Sequence, residues 1–420
     1  MSLADVLGRA GDVSQLALGA GLLRPIFQRL RSSRPGFVER MRHEPFAAKG
    51  DAFVREVGLL EKAGFVAKML GTDGGWRTRN EPARRHAPEA IAEQGQPEML
   101  FAGDVLFPGV LDADSLSFRL RARISQASVL VANLEGTLGD EPHELAPLLT
   151  LRGITQLLAY EKDPTNTDWV SRIDRPGLRA LLDAAPRALV SVANNHTLDD
   201  GIEGFDRTLS LLDRAGVGVI GDARKDEGAV RINVGPHCIG LFAMSYGSNQ
   251  SASGSDCHLR FNDVPYRLEH TRLVELVDRL RACGATHVVA ILHWGYEHEH
   301  EPAPEQERCA ERLFEAGVSA VIGHHPHLLQ RSDASAGRWI SYSLGDFIGG
   351  DRTIWSRFAM MVSLRFGEGG SVCGESIPIV QTPFWRRHQT MLLADAPAFE
   401  RVVFDRWFAR KIPCTAQGSR

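Results

Sequence analysis

The sequence predicts an α/β protein, and three observations carry that reading. From residue 99 onward, short apolar runs alternate with amphipathic segments of helical period, the pattern of strands joined by helices. Many of the runs end in amide, imidazole or carboxylate residues, as happens where a strand fixes a position and the following loop supplies a side chain. Hydrophobic residues make up 43% of a 420-residue chain, enough for a sizeable core.

In chain order, residues 1–95 differ from the rest. They carry mostly helical patterns and an arginine-rich stretch at 24–42. Phe53, Val54, Val57 and Leu60 fall at helical spacing over 51–62, Gly64 stops that helix, and an apolar run at 65–70 leads through Thr72-Asp73-Gly74-Gly75 into Trp76. Helix followed by hairpin resembles the wing half of a winged-helix unit. We expect a mainly helical module that serves a homodimer rather than nucleic acid, followed by a linker at 82–97 with little apolar content.

Strands are expected at 99–102, 128–132, 188–192, 217–220, 230–234, 238–243, 287–292, 320–322 and 339–342, where β-branched and other apolar residues cluster between turn signals. Helices are expected at 178–184, 205–215, 268–282 and 304–316, where apolar residues recur at three and four. Two more strand-like runs, 358–365 and 376–381, precede a helix at 397–410. The expected domains are 1–95, 96–390 and a C-terminal helix and tail over 391–420.

A net charge of -4 and a pI near 6.4 exclude a basic field over the whole molecule, so neither nucleic acid nor an anionic membrane is an expected partner. The six cysteines are scattered without a CxxC pair and read as reduced core residues. The apolar segment at 16–23 is far shorter than the roughly 20 residues of a spanning helix. No basic start leads into a cleavable apolar stretch, so a cytoplasmic location without a membrane span is expected.

The strand ends carry the chemistry. The first ends at Asp104, the second at Glu135, the third in Asn194-Asn195-His196 with Asp199, a later one at His293, and the next in His324-His325-Pro326-His327. An aspartate after one strand is usually a turn residue, and a lone histidine is usually packing; five such endings in one domain are a constellation. Carboxylates, an amide oxygen and imidazoles form a ligand set for a borderline divalent ion such as Mn, Fe, Zn or Co. Six ligands suit two ions, which a bridging carboxylate would hold about 3.5–4 Å apart. His325-Pro326-His327 is the most specific fragment, because proline holds the extended chain that puts both imidazoles on one side.

The ordered series Gly103-Asp104, Asn133-Leu134-Glu135, Asn194-Asn195-His196 with Asp199 and Gly201, His293-Trp294-Gly295 with Glu297, Pro302 and Gln306, Gly323-His324-His325-Pro326-His327 and Tyr342-Ser343-Leu344-Gly345 resembles the CapA family of poly-γ-glutamate capsule biosynthesis proteins. That family lies within the calcineurin-like metallophosphatase superfamily, and the resemblance runs from about residue 98 to about 350. It implies a four-layer αββα sandwich with two metals at the ends of the central strands. By motif, Glu135 is the implied bridge, Asp104 and His327 hold one metal, and Asn195, His293 and His325 hold the other. His196, oriented by Asp199, is the implied acid.

Two departures matter. The superfamily's Asp-x-His has Leu106 at its histidine position, as CapA-like proteins do, so the first metal lacks an imidazole. The family's usual Ser-Leu-Gly-Asn-Phe reads Ser343-Leu344-Gly345-Asp346-Phe347 here, and the added carboxylate either changes substrate charge preference or reaches a metal. His324 competes with His325 for the ligand role.

The implied activity is dinuclear-metal-dependent hydrolysis of a phosphate ester or a γ-glutamyl-type amide of an anionic small molecule or peptide. The alternative is a non-catalytic component that binds a polymer or partner proteins. Asn194, Glu297, His324, Asp346 and Arg352 are candidate substrate contacts, and Arg152 and Arg260 are further cations able to read an anion. Specificity is expected in the aperiodic segments 139–175 and 247–260.

Overall fold

The computed structural model describes residues 97–106, 113–139, 172–174, 178, 184–247, 270–349, 355–383 and 387–413. The expected N-terminal module, most of the helix expected at 178–184, most of the two specificity segments, and Arg152, Arg260 and Arg352 lie outside them.

Two sheets form the centre. The first contains β1 (Glu98–Val105), β2 (Val129–Leu134), β5 (Ala188–Ser191), β6 (Gly218–Ile220), β14 (Phe358–Phe366), β15 (Val372–Gln381) and β16 (Thr390–Leu392) in the order β16-β15-β14-β1-β2-β5-β6. A short strand, β13 (Asp346–Ile348), pairs with β1 in parallel. The second sheet orders β11 (Ser332–Ser335), β12 (Arg338–Ser341), β10 (Ala320–His324), β9 (His287–His293), β8 (His237–Ser245) and β7 (Ala229–Val234) as β11-β12-β10-β9-β8-β7. A separate parallel pair joins β3 (Thr137–Gly139) to β4 (Arg172–Asp174).

The period of two along each strand decides the layering. Met99 and Phe101 of β1, Val129 and Val131 of β2, Leu241 and Ala243 of β8, and Val289 and Ile291 of β9 meet in one core between the sheets. Their neighbours point outward. Leu100, Ala102, Leu130 and Ala132 pack under α1 (Phe118–Ser125) and α2 (Gly201–Arg214), through Leu120, Ile124, Phe205 and Leu212. Phe242, Val288, Ala290 and Val321 pack under α3 (His270–Ala282) and α4 (Pro304–Glu315), through Leu276, Leu280 and Leu313. Helix, sheet, sheet and helix therefore stack as the four-layer αββα sandwich that the resemblance implies.

The C-terminal segment is part of this body. Val403 and Phe404 of α5 (Ala398–Trp407), with Phe408, join the core between the sheets alongside Phe358 and Met360. Packing thus continues across the boundary expected at residue 390. The buried Lys411 ammonium donates to the His300 carbonyl and lies 3.2 Å from Glu301 Oε1, which ties this segment to the loop after β9. Among the described residues, Cys238, Cys283, Cys309 and Cys373 are free thiols. No helix among them is long and apolar enough to cross a membrane.

Several motif residues are explained by backbone approach. A Cβ on Gly103 would stand 1.9 Å from the Gly345 carbonyl oxygen, and one on Gly323 would stand 2.0 Å from that of Tyr342. Trp294 locks the end of β9 by donating from Nε1 to the Tyr342 carbonyl at 2.8 Å, and Gln306 Oε1 accepts from the Ala303 N–H at 2.9 Å where α4 begins. Gly323→Ala is therefore expected to lower unfolding free energy by about 1–3 kcal/mol, the usual cost of overpacking. Urea denaturation checks this, and a variant as stable as the parent would mean that the strands separate without strain.

Candidate metal centre

Parallel pairing brings the polar endings to one rim. β1, β2 and β5 are mutually parallel neighbours in the first sheet, as are β8, β9 and β10 in the second. In register, Asp104 stands beside Asn133, and His324 beside His293. Glu135 follows β2, Asn194 to Asp199 occupy the loop between β5 and α2, and His325 and His327 follow β10. Among the described residues, six non-glycines have positive φ, and three of these are histidines of this rim: His298 (58°), His325 (97°) and His327 (55°). Left-handed backbone at such residues costs on the order of 1–3 kcal/mol each, so the surrounding packing has to hold it.

Three groups of donors form, with the ligand atoms in each lying within 4.8 Å of one another: Glu135 with His325 and His327, Asp104 with His327 and Asp346, and Asp104 with Glu135 and His293. Asn195 joins the last group, since His293 Nε2 lies 2.7 Å from Asn195 Oδ1 and 3.5 Å from Glu135 Oε1. His327 faces Glu135 Oε1 at 3.7 Å through Nε2 and Asp346 Oδ1 at 2.8 Å through Nδ1. Asp104, Glu135 and Asp346 are fully buried.

Burial sets the charge states. It pushes His293 well below the ordinary imidazole range, with the neighbouring imidazoles adding to it, and takes His325 down to about 3. Both are therefore neutral, the form that donates a lone pair to a metal. Burial disfavours the Asp104 charge as well, but His324 by attraction and hydrogen bond, His327 by its charge and the His325 N–H together hold it below the usual carboxylate range. Glu135 goes the other way: burial raises it well above that range, and the anions Asp104, Asp346 and Glu297 outlast the opposing pull of His327. His327 is held well above its usual value despite burial, because Glu135, Asp346 and Asp104 favour its cation. Hard oxygen donors crowded in a dry pocket with neutral imidazoles fit a divalent cation, which would relieve their mutual repulsion.

The remaining expected residues surround this cage. His196 Nδ1 lies 2.6 Å from Asp199 Oδ2, and its ring is close enough to act electrostatically on His293 and His325. Asn194, expected at the substrate, is turned inward: its amide donates to the Leu134 carbonyl at 2.8 Å and its oxygen accepts the His196 N–H at 3.1 Å. His324, also expected there, holds Asp104 Oδ1 at 2.8 Å through Nδ1. Asp346 is fully buried behind His327. Glu297 is half-buried at the edge, acting on Glu135 and His325. Two residues went unselected. Asn133 Nδ2 donates to Asp104 Oδ1 at 2.9 Å and sits 3.2 Å from His293 Nδ1, joining the two sheets. His298 donates its N–H to the Pro326 carbonyl at 2.9 Å, with its ring 6.1 Å from that of His327. Asn133's signal was its place on a strand end next to Glu135; His298 had only the Glu-His-Glu-His-Glu run at 297–301.

Comparison with known proteins matches residues 85–351 to the family model of the bacterial capsule synthesis protein PGA_cap. Capsule biosynthesis protein CapA of Bacillus anthracis is 24% identical over 194 residues, 46% of this chain and 47% of that protein. PGA biosynthesis protein CapA of Bacillus subtilis is 24% identical over 197 residues, 46% and 50%. The chain thus spans about half the length of the curated relatives it matches. Among solved structures, a 5′-nucleotidase of Candida albicans superposes over 69% of this chain and 52% of its own, at 8% identity and a TM-score of 0.36.

Glu135 and His327 are both shifted upward, so a cation entering this cage competes with their protons. Metal affinity is therefore expected to rise with pH. Calorimetric titration with Mn²⁺ at about pH 6 and about pH 8, in buffers of different ionisation enthalpy, should show tighter binding at the higher pH and proton release on binding. An affinity flat across that range would contradict these charge states.

Proposed function

Since the chain belongs to the bacterial capsule synthesis protein family, we propose that it is a dinuclear-metal-dependent hydrolase acting on a phosphate ester or a γ-glutamyl-type amide in the synthesis of poly-γ-glutamate or a related peptide. The observation that carries this reading is the sharing of donors: Glu135, Asp104 and His327 each belong to two of the three groups. Shared donors suit two adjacent ions better than one.

Asp104, Glu135 and His327 would hold one ion, and Glu135, Asn195, His293 and His325 the other. Ions bound there supply Lewis acidity, making water more acidic and polarising a P=O or C=O group. Asp199 fixes the His196 ring through Nδ1 at 2.6 Å, which leaves Nε2 to deliver a proton to the leaving group. His324 and Asn133 orient Asp104, and Asn194 holds the loop that presents Asn195 and His196. The site lies at the rim where the ends of parallel strands from both sheets meet.

Two measurements test this. Metal analysis should find about two ions in the parent; Glu135→Ala should lose both, and His293→Ala mainly one. Equal loss in the two variants would count against the bridge. His196→Asn should keep its metals and fold while turnover of a phosphomonoester or a γ-glutamyl peptide falls by roughly 10²–10⁴-fold, and less where the leaving group needs no proton. Full activity toward a poor leaving group would remove His196 from the acid role, and a parent that holds both ions yet turns over none of these substrates would be the non-catalytic component.

A further inference from the structure

We infer that Asp346 is itself a metal ligand: it fills the place that Leu106 leaves without an imidazole, and makes the Asp104 and His327 half of the centre prefer a hard divalent cation such as Mn²⁺ over Zn²⁺. This inference rests on the two-ion reading above.

The backbone places Asp346 for that role. β13 runs parallel to β1 with Asp346 directly in register with Asp104, and paired residues on adjacent strands point their side chains to the same face. Leu106, two residues beyond Asp104, is buried and donates its N–H to the Ile348 carbonyl at 2.8 Å, so β13 stays paired with β1 past the position where an Asp-x-His motif would carry its histidine. The Asp346 carbonyl accepts from Gln381 Nε2 at 2.9 Å, and Gln381 Oε1 accepts the Gly349 N–H at 2.9 Å, which clamps the turn. A Cβ on residue 349 would stand 2.3 Å from Asp346 Oδ2, so glycine there leaves the carboxylate its room.

Distances agree. Asp346 Oδ1 is 2.8 Å from His327 Nδ1, and the same nitrogen is 3.7 Å from Asp104 Oδ2. The other half of the centre has the same spacing, 2.7 Å from His293 Nε2 to Asn195 Oδ1 and 3.5 Å to Glu135 Oε1. Donors bound to one ion by contacts of about 2.0–2.2 Å stand about 3–3.5 Å apart, and in both halves the separations, 2.8 and 3.7 Å in one and 2.7 and 3.5 Å in the other, bracket or reach that range. Burial agrees as well: Asp104, Glu135 and Asp346 are all fully buried at one rim, and carboxylates gathered out of water call for a compensating cation. Oxygen-rich surroundings select Mn²⁺ or Mg²⁺, whereas the His293 and His325 half, with its amide oxygen and two imidazoles, suits Zn²⁺.

The test uses the full chain and its Asp346→Asn variant, titrated separately with Mn²⁺ and Zn²⁺ by calorimetry, with bound metal counted by mass spectrometry. Asparagine keeps the shape and removes the charge. At one of two sites Mn²⁺ affinity should fall by on the order of 10–100-fold, with a clearly smaller loss for Zn²⁺ and the second site unaffected. Equal losses for both metals would reduce Asp346 to a residue that only orients His327, and unchanged affinities would remove it from the centre; either result overturns the inference while leaving the two-ion reading in place. A parent chain that binds neither metal would overturn both. Should the variant misfold, a crystal of the parent soaked in Mn²⁺ decides: an ion within about 2.0–2.6 Å of an Asp346 oxygen supports the assignment, and one beyond that range overturns it.

Discussion

The structure depends on keeping three mutually repelling carboxylates, Asp104, Glu135 and Asp346, out of water. An uncompensated buried charge costs several kcal/mol even after relaxation, so each needs partners close by. Asp104 has them in His324, Asn133 and the His325 N–H. Asp346 has His327. Glu135 stands among the imidazoles of His293, His325 and His327 and is driven toward its protonated form by burial. The arrangement is costly as protein alone, and a bound cation would offset that cost.

Strand register is what enforces the crowding. Asp104 lies level with Asn133 on one side and Asp346 on the other, and His293 lies level with His324 in the facing sheet. Gly103 and Gly323 let neighbouring backbones close to distances that no side chain would allow. Farther out, α5 and Phe408 fill the core between the sheets, and Lys411 grips the loop that follows His293. Left-handed backbone at His298, His325 and His327 is therefore held by packing on several sides.

Much of this was legible in the sequence because strands announce themselves by apolar runs and by where those runs stop. Asp104, Glu135, Asn195, His293, His325 and His327 all sit at or just beyond strand ends, where a polar residue after an apolar run is conspicuous. Helix α1 was missed, since Phe118–Ser125 is rich in arginine and buries only Leu120 and Ile124, too sparse for a periodic signal. Strands β3, β13 and β16 have three residues each, too few for alternation to register. Sequence shows which residues share a rim but not which way each turns: of the expected substrate contacts, Asn194 turns to the Leu134 carbonyl and His324 to Asp104. Across the boundary expected near residue 390, the apolar face of α5 joins the central core, a contact that periodicity alone does not show.

The central claim is that the strand ends build one centre in which Glu135 bridges two ions. Electron paramagnetic resonance of the full chain loaded with two equivalents of Mn²⁺ tests it most directly, because ions about 3.5–4 Å apart and joined by a carboxylate are magnetically coupled. The account predicts a coupled two-ion spectrum that collapses to that of isolated or free Mn²⁺ in Glu135→Ala. Two uncoupled six-line signals in the parent, or no bound manganese at all, would contradict it.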